Sequence, residues 1–498
     1  MVDHLDVRHG AYHDSVSLMQ VSRRVGDLDG VDKALVAMGT ELNLDLLAGM
    51  GFAPPDAGPN DLVVAIRAEE STLPAALAEV EAALAASQGG GSGGFGDAPP
   101  PRTIAAAVTA GADLALVSVP GRYAFVEAMD AVRAGVNVLV FSDNVPVGQE
   151  IALKAAAAER DVLVMGPDAG TAIVGGVGLG FANVTQPGPV GLVAASGTGA
   201  QQLTCLLDDA DIGISHVLGV GGRDLSAAVG GRSTRQAMRA LDADPATELI
   251  VVLSKPADPG VTDDVRALAE TLATPVVFAV LGPDAPDLTA TAAEVAAVLG
   301  RDFSAPVWWP APEERHGAYA ELRGLFAGGT LCDEAMLIAA DGLDAPIASN
   351  IPLRPEWALT DGLDTAGHVF VDFGEDEYTR GRPHPMIDQG LRLERIAAEA
   401  RRPGGRVLLL DVVLGHAADP DPAALLAPAI ADAVATGEDL AVVVSLCGTA
   451  GDPQGRDRQV EALVAAGASV HLSNAAAARR AVELVATHAG RSRTGGPA

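Results

Sequence analysis

Short apolar runs bounded by glycine and proline alternate along most of this chain with stretches whose apolar residues recur every third and fourth position. The first pattern predicts strands buried on both faces of a parallel sheet, and the second predicts helices with one buried face. Between residues 104 and 184 the order is strand, helix, strand, helix, strand: Ala112–Val119, Tyr123–Ala134, Val136–Phe141, Glu150–Arg160 and Val162–Met165. A second unit over 188–300 has strands at Val190–Ala195, Ser215–Val220, Leu249–Leu253 and Pro275–Leu281. A third, over 366–487, has strands at His368–Phe373, Val407–Leu414, Leu440–Leu446 and Ser469–Ser473, separated by helices at Gln389–Ala400, Pro422–Ala435 and Gln459–Ala466. Such alternation predicts parallel, Rossmann-like α/β units. The second and third share one plan, as an architectural duplication would.

The beginning of the chain differs. Helical spacing at Val16, Met19, Val21 and Val25 is followed by a strand at Lys33–Gly39, a helix at Asn43–Met50, a strand at Asp61–Arg67 and a helix at Thr72–Ala86. This order predicts a small α+β, ferredoxin-like domain over 1–87. Residues 88–101 are rich in glycine and proline and read as a flexible linker. The remaining boundaries follow: a Rossmann-like domain at 102–186, α/β domains at 187–300 and 366–488, a connecting segment at 301–365 with one helix near Ala318–Phe326, and a disordered tail at 489–498.

Composition narrows the function. The 498 residues carry a net charge of −32, which repels nucleic acid and anionic membrane. An anionic substrate must therefore be held by local donors. Cys205, Cys332 and Cys447 are far apart and give neither a disulfide framework nor a zinc site. With no metal motif, signal-peptide pattern or membrane-length apolar run, the chain is expected to be cytoplasmic and metal-free. The first α/β unit lacks G-x-G-x-x-G, which argues against NAD.

The chemistry concentrates in loops after strands. Ser196-Gly197-Thr198-Gly199 lies between an apolar run and a helix face formed by Leu203, Leu206 and Leu207. Free backbone N–H groups and two hydroxyls at a helix start suit a phosphoryl group, although a turn of this kind also serves plain helix–strand packing. Gly415-His416-Ala417 likewise leads from a strand towards a helix; His416 is either an acid/base facing a ligand or an incidental loop histidine. The segment Tyr378–Asp388 is the densest polar cluster. In it Arg382 suits a carboxylate or phosphate and His384 suits proton transfer, unless the arginines pair with Asp372, Asp376 or Glu377. Asp168 in Gly166–Thr171, and Gly222 and Arg223 in Gly221–Asp224, stand at strand ends on the ligand-facing edge as substrate-binding candidates, or simply as turns. Gly328-Gly329-Thr330-Leu331-Cys332 reads as an N-cap turn, and Cys332 has no evident histidine partner for a nucleophilic role.

Met165–Asp168, Gly191–Gly199 and Gly219–Leu225 together resemble the succinyl-CoA synthetase α subunit in order and spacing, and Val442–Thr449 resembles the C-terminal domain of its β subunit. His13–Met19, Leu322–Phe326, Gly328–Cys332 and Gly381–Asp388 extend the resemblance to the narrower FdrA family over nearly the whole chain. The resemblance implies a CoA-binding-type domain followed by two flavodoxin-like domains. It places a CoA-type site near Pro120, Gly121, Asp143 and Asn144, and phosphate-binding helix starts at Ser196–Gly199 and Gly415–Ala417. The chain departs from the synthetase where the phosphorylated histidine belongs, reading Leu281–Leu288 without histidine, and where a supporting glutamate belongs, reading Ser254-Lys255-Pro256. FdrA-type proteins are associated with oxamate carbamoyl transfer alongside partner subunits. The resemblance therefore implies a hetero-oligomeric carbamoyltransferase that uses carbamoyl phosphate or another acyl phosphate and a carboxylate or amide acceptor. The alternatives are an acyl-CoA synthetase subunit that borrows a partner's nucleotide-binding domain, with CoA as cofactor, and a non-catalytic scaffold or regulatory subunit.

Overall fold

The computed structural model describes residues 1–498 apart from 12, 14, 88–100, 102, 314–316, 361, 381, 437–438 and 495–498. All of the expected linker except residue 101 falls outside the described residues. The chain divides into two compact units, Met1–Ala110 with Thr379–Pro383, and Gly111–Tyr378 with His384–Ala498.

The first unit contains β1 (Val2–Arg8), α1 (Ser15–Gly26), β2 (Val31–Met38), α2 (Glu41–Gly49), β3 (Leu62–Ala68), α3 (Leu73–Ser87) and α4 (Ile104–Thr109). Its antiparallel sheet has the order β1-β3-β2, so β1 and β2 run parallel on either side of β3, as in a split βαβ motif. Val64 and Ile66 of β3 pack against Leu18, Val21 and Val25 of α1 and Val80 and Leu84 of α3. The α+β expectation is met, with one added strand. β1 escapes the pattern because Asp3, His4 and Asp6 interrupt its apolar residues. It is held instead by pairing along β3 and by Arg67, which donates to both carboxylate oxygens of Asp3 at 2.6 and 2.7 Å.

The second unit opens with β4 (Leu114–Val117), α5 (Gly121–Arg133), β5 (Asn137–Val140), α6 (Val147–Ala158) and β6 (Val164–Met165), a parallel sheet in the order β4-β5-β6. Next come the hairpin β7 (Thr171–Val174) and β8 (Val177–Gly180), then β9 (Pro187–Ala195), α7 (Gly197–Asp208), β10 (Ile214–Gly219), α8 (Arg232–Ala243), β11 (Leu249–Ser254), α9 (Pro259–Ala269), β12 (Val276–Val280) and α10 (Leu288–Val298). They form a six-stranded sheet, β12-β11-β9-β10-β7-β8, parallel except at the hairpin.

The third sheet draws on β13 (Trp308–Trp309), β14 (Tyr319–Phe326), α11 (Gly329–Leu343), β15 (Ile347–Ser349), β16 (His368–Asp372), α12 (Asp376–Thr379), α13 (Gly390–Ala400), β17 (Gly405–Val413), α14 (Pro422–Ala435), β18 (Leu440–Cys447), α15 (Arg456–Ala465), β19 (Ala468–His471) and α16 (Asn474–Thr494). Its order is β13-β19-β18-β17-β14-β16-β15, parallel except at β13.

Two expectations are corrected. Ala318–Phe326 is strand, not helix: Arg323 is wholly buried within it, so the polar residue that mimicked a helix's wet face lies in the core. The tail expected from 489 is helical to Thr494, and residues 495–498 lie outside the described residues. Among the described residues no helix is long and apolar enough to cross a membrane.

Each large sheet has a switch point where strand order reverses. β9 lies between β11 and β10, and β14 lies between β17 and β16. Ligands of open α/β sheets sit beyond the carboxyl ends of such strands. β9 leads into α7 and β14 leads into α11.

Candidate functional site

The two switch points meet. The Ser196 hydroxyl caps α7 by accepting from the Gly199 N–H at 3.0 Å. It also shares a 2.6 Å hydrogen bond with the hydroxyl of Thr330, in the first turn of α11. The approach demands glycine: a Cβ at Gly199 would lie 2.9 Å from Thr330 Cγ2, and one at Gly328 would lie 2.8 Å from Thr198 Oγ1. Asp411 at the heart of β17 fixes the start of α11, accepting from the N–H groups of Ala327 at 2.7 Å and Gly328 at 2.8 Å while it pairs with buried Arg392 at 3.2 Å. The N–H groups of the first helical turns, which have no intrahelical acceptor, are thus concentrated at one place from both helices.

Lys255, just past β11, points there. A Cβ at Gly329 would be 2.6 Å from Lys255 Nζ and 2.5 Å from Asp372 Oδ2. Among the described residues the ammonium has no hydrogen-bond or ion-pair partner. Burial works against its charge, but the fields of Asp333, Asp372, Glu375 and Asp168 outweigh it and hold the group protonated. Those carboxyls are raised in turn, chiefly by desolvation: Asp372 to about 7, Asp333 to about 6 and Asp168 to about 7, the last also raised by Asp143. Asp168 is solvent-exposed, and its carboxyl interacts electrostatically with Lys255 and Asp143.

His384 belongs to this neighbourhood. Its Nε2 and Asp372 Oδ1 both come within 3.0 Å of where a Gly374 Cβ would stand. Its Nδ1 accepts from the Met386 N–H at 3.2 Å. Burial, aided by Arg392, lowers its pKa to about 4, so the ring is neutral at neutral pH.

The other sequence candidates divide. Gly197, Thr198 and Gly199 join Ser196 at the α7–α11 junction, His384 lies beside Asp372, and Asp168 acts on Lys255 electrostatically. Gly222 adjoins the end of β9, 4.0 Å from the Ala195 carbonyl oxygen by its would-be Cβ. The Pro120–Gly121 and Asp143–Asn144 loops touch: a Cβ at Gly121 would meet the Asp143 carbonyl. Asp143 acts electrostatically on Asp168. Arg223 is taken up structurally, by Glu150 at 3.0 Å and the Val145 carbonyl at 2.8 Å, beside the buried Lys154, Glu150 and Asp224. Arg382 is exposed and belongs to the first compact unit, where its N–H donates to the Thr379 carbonyl at 3.0 Å.

The second helix start is corrected. Gly415–Ala417 follows β17, which is not the switch-point strand, and packs on another loop: the His416 N–H donates to the Ala182 carbonyl at 2.8 Å and the Gly415 N–H donates to Gln454 at 3.1 Å. The partner of α7 is α11, whose Gly328-Gly329-Thr330 read only as a cap. Lys255 was missed as well, although a lysine directly after the apolar run Leu249–Leu253 marks the ligand edge of a parallel sheet. An apolar cavity of about 250 Å³ lies at the other end of β16, walled by Ala345, Pro346, Trp357 and His368 among others. It lacks the convergent donors that meet at the α7–α11 junction.

Residues 325–484 match the CoA-ligase family, and residues 1–99 match a family described as "AllF, heavy metal-associated domain". Residues 1–99 contain no cysteine, and among the described residues no group of three or more His, Cys, Asp or Glu is arranged to hold a metal ion, so the donors do not fit a soft metal. A relative from Archaeoglobus fulgidus, succinate–CoA ligase [ADP-forming] subunit alpha 2, is 28% identical over 36% of this chain and 61% of its own length. The solved ATP citrate lyase from Methanothrix soehngenii, in complex with citrate and coenzyme A, is 24% identical with a TM-score of 0.31, covering 36% of this chain and 30% of that one. The uncharacterized protein YahF of Escherichia coli (strain K12) is 36% identical over 93% of this chain and 94% of its own. This chain therefore belongs to the family of YahF, and its residues 325–484 match the CoA-ligase family.

Proposed function

We propose that this chain is an acyl-transfer subunit that holds an acyl phosphate between the N-termini of α7 and α11, with carbamoyl phosphate as its substrate. The observation that carries the reading is the Lys255 ammonium, without a partner among the described residues, facing Gly329 where the two helix starts meet. In this reading the N–H groups of Gly197, Thr198, Gly329 and Thr330 and the Thr198 hydroxyl bind phosphoryl oxygens. Lys255 offsets the charge that grows on the leaving phosphate. The loop at 282–287 holds no histidine, so the acyl group passes directly to its acceptor. Neutral His384 serves as a hydrogen-bonding group rather than as an acid at neutral pH. The FdrA-type motifs support carbamoyl transfer within a cytoplasmic hetero-oligomer.

A second reading, an acyl-CoA synthetase subunit, is favoured by the CoA-ligase match. Pro120 and Gly121, at an α5 start without a side-chain cap, and Asp143 and Asn144 would hold CoA, which supplies a thiol acceptor. Calorimetric titration of the full chain with carbamoyl phosphate and, separately, with CoA distinguishes the two. The carbamoyl reading expects carbamoyl phosphate to bind wild type and to bind Lys255→Gln at least tenfold more weakly. Binding of CoA alone would transfer the assignment to the synthetase.

A further inference from the structure

Two of the three cysteines meet where the six-stranded and seven-stranded sheets are joined. Cys205 lies on α7 and Cys447 ends β18; they are 242 residues apart in sequence, yet their Sγ atoms are 3.9 Å apart. Both are buried. Hydrogen bonds fix the two elements around them. From α7, Gln201 donates to the Asn183 side-chain carbonyl at 3.0 Å, and Asn183 donates to Asp452 Oδ2 at 2.7 Å. The same oxygen accepts from the N–H of Thr449, just beyond Cys447, at 2.8 Å. Nearer the surface, Arg456 pairs with Asp209 at 2.6 Å and donates to the Gly448 carbonyl at 3.4 Å. The Asp209 N–H in turn donates to the Cys205 carbonyl at 3.0 Å, so one ion pair ties the backbone beside both thiols. The Asp209 side chain is 32% exposed, and the joint meets solvent there. A disulfide needs its sulfurs about 2.05 Å apart, a closure of roughly 2 Å, which is the scale of a side-chain rotation. Burial, with Cys447 adding to it, pushes the Cys205 thiol up, so the pair rests as thiols and reacts slowly.

We propose that Cys205 and Cys447 are a redox-responsive pair that hydrogen peroxide closes into a disulfide, stapling α7 of one sheet to β18 of the other. The proposal stands apart from the anion-site reading. One sulfur, as thiolate, attacks a peroxide oxygen. The O–O bond breaks, that sulfur becomes a sulfenic acid, and the departing oxygen leaves as water with the proton the thiol released. The second sulfur attacks the sulfenic sulfur. The S–O bond breaks, and its oxygen leaves as water with the second thiol's proton. Each sulfur has lost one electron, and one peroxide has become two waters. A small thiol reverses the link by exchange. A link spanning 242 positions constrains the unfolded chain and so stabilises the folded one.

The full chain is treated with millimolar hydrogen peroxide, denatured, alkylated and mapped by mass spectrometry. The expected product is a peptide pair joined through Cys205 and Cys447, about 2 Da lighter than the two thiol peptides, with Cys332 still alkylated. The thermal midpoint of the oxidised chain should rise by at least ~3 °C, and dithiothreitol should restore the original value. Cys205→Ala, checked for fold by circular dichroism, should form no link and show no rise. Wild type that keeps all three thiols free would overturn the proposal. So would Cys205 or Cys447 recovered as sulfinic or sulfonic acid, or linked to Cys332 or to a second chain. A link that forms only as the circular dichroism signal is lost would overturn it too, because that disulfide would belong to the unfolded chain.

Discussion

The hydroxyls of Ser196 and Thr330 share a 2.6 Å hydrogen bond across 134 residues of sequence. That one contact aligns the starts of two helices that descend from the switch points of two separate sheets. Ser196→Ala removes it together with the cap on Gly199. We expect a loss of about 1–2 kcal/mol, read as a lower thermal midpoint of the main unfolding transition. An unchanged midpoint would show that packing alone aligns the helices.

Lys255 places its ammonium at the start of α11, and its replacement should separate binding from folding. Lys255→Gln is expected to weaken sulfate binding by roughly ten- to a hundredfold, the scale of a hydrogen bond to a charged group. Lys255→Arg should retain part of it. Equal affinity in all three proteins, measured by calorimetry, would remove Lys255 from the site.

Asp411 acts at one remove, holding the Ala327 and Gly328 N–H groups and neutralising Arg392. Asp411→Ala strands a buried guanidinium and should cost about 3–5 kcal/mol. Adding Arg392→Leu removes the stranded charge and should recover part of the loss. A double variant no more stable than the single one, by urea unfolding, would contradict this account.

His471 sits buried on β19 beneath Trp308, their rings stacked with centroids 5.2 Å apart, and neither ring nitrogen has a hydrogen-bond partner. Burial, aided by Arg480, lowers its pKa to about 4. Above pH 6.5 the folded and unfolded chains both hold it neutral. Below 6.5 only the unfolded chain binds the proton, so stability falls as pH drops towards 4. By pH 5 this costs about 2 kcal/mol. His471→Phe should therefore gain on wild type between pH 7 and pH 5 in urea midpoints. Parallel pH profiles would show that the ring is hydrated.

The sequence revealed what local chemistry decides. Ser196–Gly199 at the end of an apolar run announces a strand, a cap and a helix without help from the rest of the chain. The partner helix was hidden, because Gly328-Gly329-Thr330 acquires its role only when β14 lies between β16 and β17. β14 itself was misread because Arg323 is buried in its middle. Lys255 was read only as the departure from a supporting glutamate, because a single lysine has no periodicity. Its meaning comes from the carboxylates of Asp168, Asp333 and Asp372, which distant loops bring to it. Gly415–Ala417 carried the right local signature on a strand away from the switch point.

The central claim is that an anion sits between α7 and α11. The direct test is a crystal structure of the full chain grown with selenate, located by its anomalous signal. The account predicts a peak within hydrogen-bonding distance of Thr198, Gly329 and Lys255 Nζ. Selenate bound instead at Gly415–Ala417, or absent from the α7–α11 junction in crystals where that junction is open to solvent, would contradict it.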